Sequence, residues 1–77
     1  MEELVEYLAK ALVDEPDAVS VESFEEDDGT VVLELTVAED DVGKVIGRNG
    51  RTVNALRTVV RASAVRHGRR VLVDVVD

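Results

Sequence analysis

The chain has 77 residues, 45% of them hydrophobic and 34% charged, which admits one small domain with a core, spanning 1–77, and excludes both a second domain and a disordered chain. It has no cysteine, so neither a disulfide nor a thiolate metal site supplements that core. The net charge of −8 is unevenly spread: residues 1–41 hold fifteen acids against Lys10 alone, whereas residues 42–73 hold Lys44 and seven arginines with no acid. That asymmetry points to a basic surface for an anionic partner on a body that otherwise repels nucleic acid, against the plainer alternative of a solvated helix face.

In chain order, Leu4, Val5, Leu8, Leu12 and Val13 recur at helical spacing behind Glu2 and Glu3, predicting an amphipathic helix over 2–13 that Pro16 terminates. Val19, Val21 and Phe24, an acidic turn ending in Asp28-Gly29, and the alternating run Val31 to Val37 predict a β-hairpin. Asp40 and Asp41 are placed to cap the short helix Val42–Ile46. A longer helix is predicted from Arg51 to about His67, with Val53, Leu56, Val60 and Ala64 on one stripe and Gly68 just past its end. Val71 to Val76 predicts a strand apolar enough to be covered on much of both faces.

The order α-β-β-α-α-β describes an α+β domain with a three-stranded mixed sheet and three helices packed on one face. The hairpin is antiparallel, and the long connection between the last two strands allows a right-handed crossover that makes them parallel. The acidic Met1-Glu2-Glu3 start and the absence of any apolar run near the roughly 20 residues of a membrane span predict a cytoplasmic chain with no membrane association.

Between the two later helices lies Gly47-Arg48-Asn49-Gly50. Two glycines four residues apart allow a sharp bend and close approach of another chain, and amides at the start of the following helix favour an anion. Alone this spacing is common in ordinary helix–helix turns. Set after a hairpin and before a final strand, the segment Val45-Ile46-Gly47-Arg48-Asn49-Gly50-Arg51 resembles the KH domain in its type II order. The longer run from Val42 through Val60 is similar to the small bacterial single-KH family called KhpA.

The resemblance implies binding of single-stranded RNA, with Gly47, Arg48, Asn49 and Gly50 in the phosphate-contacting loop. It places Ile46, Val53 and Leu56 on the apolar floor of a base-holding groove and the last strand, around Arg70 to Val73, on the opposite wall. Lys44 and Arg51 flank the loop and extend the phosphate track. Arg57, Arg61 and Arg66 either continue that track or pair with the acidic half, and Arg69 and Arg70 suit either purpose. The family further implies a homodimer, a KhpB-like partner carrying its own KH domain, and work as an RNA chaperone or post-transcriptional regulator linked to cell shape and cell-wall biogenesis.

No cofactor is expected, and the enzyme reading is weak. Ser63, His67 and Asp74 supply the letters of a catalytic triad, but Ser63 and His67 stand one helical turn apart with no oxyanion motif. The serious rival is a protein-interaction or dimerisation module with weak or no autonomous RNA binding, which the net acidity favours.

Overall fold

The computed structural model describes residues 1–76. Helix α1 (Glu2–Leu12) is followed by a 3-10 turn at Pro16–Ala18, strands β1 (Ser20–Glu25) and β2 (Val31–Thr36), and a second 3-10 turn at Glu39–Asp41. Helix α2 (Val42–Ile46), a turn at Arg48–Gly50, helix α3 (Arg51–Arg66) and strand β3 (Val71–Val75) complete the chain. The sheet order is β1-β2-β3, antiparallel between β1 and β2 and parallel between β2 and β3. This is the α-β-β-α-α-β arrangement of a type II KH fold, as the sequence predicts.

One core joins every layer. Val5 and Ala9 of α1, Val45 of α2, and Leu56 and Val60 of α3 are buried against Leu33, Leu35 and Val73 of the sheet. The period-two alternation of β2 turns Leu33 and Leu35 toward the helices and Val32 and Glu34 away. A fully buried leucine contributes about 1.5–3 kcal/mol relative to an exposed one, so the central strand anchors much of the domain's stability.

Two expectations change. The final strand is not covered on both faces: Val73 is buried, but Leu72 is 48% exposed. Its apolar run therefore does not reflect burial of both faces. Nor does Asp41 or Asp40 donate a side-chain cap to α2. Asp41 is 1% exposed, and its carboxylate instead accepts hydrogen bonds from the backbone N–H groups of Asp14 (3.2 Å) and Glu15 (3.0 Å). It thereby ties the α1–β1 connection to the start of α2. Burial raises its pKa, but those two hydrogen bonds and the charge of Lys44 outweigh burial and hold it below the usual value.

The end of α3 follows the sequence reading. Gly68 (φ 65°) sits past the helix, with Gly68 N–H donating to Val65 O (3.0 Å) and Arg69 N–H to Ala64 O (2.9 Å). This doubly bonded termination satisfies two otherwise orphaned carbonyls and turns the chain back toward the sheet.

Candidate nucleic-acid interface

The Gly47–Gly50 turn is built from backbone conformations that few side chains tolerate. Gly47 (φ 76°), Asn49 (φ 57°) and Gly50 (φ 75°) all have positive φ, so three of the four residues lie outside the right-handed region. Asn49 is the one non-glycine residue with positive φ among those described, and asparagine is among the side chains best suited to it. Gly47 N–H closes the last turn of α2 on Gly43 O at 2.9 Å, and Gly50 N–H returns to Gly47 O at 3.2 Å. A Cβ on Gly47 would lie 2.7 Å from Thr52 Cβ and closer still to its Oγ1. The two glycines therefore differ: Gly47 needs both its backbone angle and its lack of a side chain, whereas a Cβ on Gly50 would approach only Asn54 Nδ2, at 3.6 Å.

Arg48 and Asn49 project from the tip, both exposed, and α3 begins at once behind them with no side-chain cap on its first amides. Arg51 N–H is taken by Arg48 O, while the next amides and the positive end of this sixteen-residue helix follow the exposed Arg48 within a few residues of chain. That combination accepts an anion such as a phosphate.

The remaining candidates fall into three places. Ile46 is half-buried and Val53 and Leu56 are buried, so these residues underlie the loop and the start of α3 while serving the fold. Arg51 is exposed beside the loop. Lys44 is also exposed, but its ammonium is held by Asp14 (2.7 Å) and Asp41 (3.5 Å). The hydrogen bond and charge of Asp14 raise its pKa. Arg70 lies elsewhere: it follows the C-terminal end of α3, roughly 24 Å along that helix from the glycine turn. There it lines a depression with Glu25, Asp28 and Arg69.

Arg57, for which the sequence left open the phosphate track or pairing with the acidic half, shapes the wall opposite the loop. β3 is an edge strand, and Arg57 crosses from α3 to donate from Nε to Val73 O at 3.1 Å. Arg57 and Arg61 face Val71, Leu72, Val73 and Asp74 across an open cleft of about 250 Å³. Spacing on the helix marked these arginines as a pair, but only the fold shows that the strand lies beside them. Among the described residues, Arg57, Arg61 and Arg66 form no ion pair with the acidic half. The cations that do so are Lys10, with Glu6, Lys44, with Asp14 and Asp41, and Arg69, with Glu25. The triad letters do not assemble either, since His67 Nδ1 meets the backbone carbonyl of Ser63, at 2.9 Å, rather than its hydroxyl.

Comparison with known proteins fits this geometry. The family model described as KhpA/KhpB, KH domain, matches residues 2–75. The chain belongs to the KhpA/KhpB KH-domain family. Relatives named RNA-binding protein KhpA include one from Halalkalibacterium halodurans, 54% identical with both chains covered in full, and one from Streptomyces coelicolor, 56% identical over all of this chain and 92% of that one. A KhpA from Borreliella burgdorferi is 44% identical over 97% of this chain and 90% of its own. Among solved structures, Aquifex aeolicus Era superposes with a TM-score of 0.65 at 22% identity. A structure of Era in complex with MgGDPNP and nucleotides 1506–1542 of 16S ribosomal RNA superposes with a TM-score of 0.59, also at 22% identity. In each case 96% of this chain matches 28% of the Era chain, a likeness of fold. The KhpA/KhpB KH family thus accounts for the whole element order described above.

Proposed function

We propose that the domain binds single-stranded RNA, the sugar–phosphate backbone crossing the Gly47–Gly50 turn and the bases entering the cleft between α3 and the edge of β3. The observation that carries this reading is the turn itself. Its positive-φ glycines let another chain approach closely, Arg48 is exposed, and the start of α3 has no side-chain cap. The relatives' name as RNA-binding proteins supports the same partner. Arg48 and Arg51 neutralise phosphate, Asn49 offers a neutral hydrogen-bonding tip, and Ile46, Val53 and Leu56 support the apolar side of the groove. Lys44 contributes less because its charge is already matched by Asp14 and Asp41.

On this reading about three or four phosphates are engaged, giving a single-strand salt slope of about −2 to −3. So short a contact gains from a second binding module, which is the place for a KhpB-like partner or a second copy of the chain. The function is non-catalytic: an RNA chaperone or post-transcriptional regulator in the cytoplasm. Among the described residues, no helix is long and apolar enough to cross a membrane.

The test is fluorescence anisotropy of a labelled single-stranded RNA at two salt concentrations, comparing wild type with Arg48→Asp/Asn49→Asp after circular dichroism shows both folded. Salt-sensitive binding that the double variant loses supports the clamp. Equal binding by both proteins, or none by either, favours the second reading, a protein-interaction module. The net charge of −8 and the internal pairing of Lys44 are the observations on that side.

A further inference from the structure

The sheet has a face turned away from the buried core, and strand register organises it into rows. Phe24 pairs with Val32 and Val32 with Leu72, so three apolar side chains stand abreast across all three strands. Phe24 is 47% and Leu72 48% exposed. Two residues along, Glu22 pairs with Glu34 and Glu34 with Asp74, placing three carboxylates abreast in a parallel row. Neighbours in such a row stand about 5 Å apart, and like charges directly opposite one another destabilise a sheet. None of these carboxylates has an ion-pair or hydrogen-bond partner among the described residues, and no strand position on this face carries a lysine or arginine.

We propose that this outer sheet face is a docking surface for a cationic, amphipathic segment of another protein, whose apolar side chains lie on Phe24, Val32 and Leu72 while its lysines or arginines meet Glu22, Glu34 and Asp74. Charge complementarity selects the occupant. The same face of a second copy brings the same carboxylates and no cation, and RNA brings further negative charge. The arginine-bearing glycine turn belongs to the helix layer; the two surfaces adjoin only at β3, where Leu72 and Asp74 also line the cleft with Arg57 and Arg61, so the β1 and β2 part of the face, Glu22, Phe24, Val32 and Glu34, separates this proposal from the RNA-binding reading.

The test uses the full chain, a labelled peptide of leucine and lysine in amphipathic pattern, and its leucine–glutamate counterpart. Binding is followed by anisotropy and by amide chemical shifts. The expected result is that the lysine peptide binds, the glutamate peptide does not, and shifts centre on residues 22–24, 32–34 and 72–74. Phe24→Ser, which leaves net charge unchanged, weakens binding by about tenfold or more, and Leu72→Ser does so independently. Glu34→Gln weakens it more than Glu39→Gln, an equal charge change on an exposed turn away from the face. Circular dichroism confirms that each variant is folded. The proposal is overturned if folded Phe24→Ser and Leu72→Ser bind like wild type, since attraction would then be bulk charge alone. Shifts scattered over α1 and the hairpin turn, or single-stranded RNA shifting residues 22–24 and 32–34, overturn it equally. So does sedimentation showing a dimer that Phe24→Ser dissolves.

Discussion

Arg57 Nε donates to the backbone carbonyl of Val73 at 3.1 Å, so a side chain from α3 occupies an acceptor on the open edge of β3. The bond braces helix against strand, and it engages a carbonyl that would otherwise face the cleft. Arg57→Met keeps much of the apolar stem but removes the donor. The expected cost is about 1 kcal/mol, or roughly 4–8 °C in Tm for a domain of this size, read by thermal denaturation. Arg57→Lys restores charge without the planar fork and should recover little of that loss. An unchanged Tm in Arg57→Met would mean the contact is not maintained in solution.

The two glycines of the turn should respond differently to the same methyl group. Gly50→Ala meets no atom closer than 3.6 Å and bears only the cost of a left-handed alanine, about 1 kcal/mol. Gly47→Ala has that cost and a collision with Thr52 as well, so its loss should exceed about 2 kcal/mol. Urea denaturation of the two variants side by side checks the ranking, which equal midpoints would contradict.

Asp41 makes stability depend on pH in a stated direction. Its folded pKa lies below the ordinary 3.8, so its contribution is present above that value and is lost as pH falls through the folded pKa. Asp41→Asn should therefore be less stable than wild type at neutral pH, with the gap closing only below about pH 4. Chemical denaturation at a series of pH values measures that gap. A difference that stays constant down to the acid limit would show that the carboxylate charge plays no part.

Ion pairing separates the cations near the glycine turn. Replacing Arg48 with Gln should make the RNA salt slope shallower by about 0.7, the value of one phosphate contact on a single strand. Replacing Lys44 with Gln should change it less, because Asp14 and Asp41 already engage that ammonium. Equal effects would place Lys44 on the RNA despite its partners.

What the sequence made legible was local. The hairpin, the glycine turn between two helices and the end of α3 at Gly68 all depend on neighbours within a few residues, and each stands where its pattern puts it. What escaped depended on distance along the chain. Asp41 resembles a helix cap from its neighbours, but its carboxylate serves amides 26 and 27 residues earlier. Arg57 shows a helical pairing with Arg61, yet its acceptor lies 16 residues further on. The acidic half has several arginines within its sequence reach, and only the fold selects Arg69 for Glu25. The apolar content of β3 suggested cover on both sides, while strand register instead put Leu72 beside Val32 and Phe24 in the open. Within the candidate site, the turn and its apolar support were readable. The separation of Arg70 from that turn was not, because it follows from the length of α3 lying between them.

The central position of β2 also orders events as the chain emerges during synthesis. Its antiparallel neighbour closes early, since Val31 pairs with Glu25 only six residues away, whereas its parallel neighbour brings Val71 to Val31 from 40 residues downstream. Loop-closure entropy makes the second union costlier by roughly 2 kcal/mol. Until β3 leaves the ribosome, the hairpin has one side of β2 unsealed, and α3 has no strand on which to rest Arg57. Hydrophobic Leu33 and Leu35 spend that interval without β3 alongside, a window in which a nascent chain is open to mispairing with another copy or to chaperone capture.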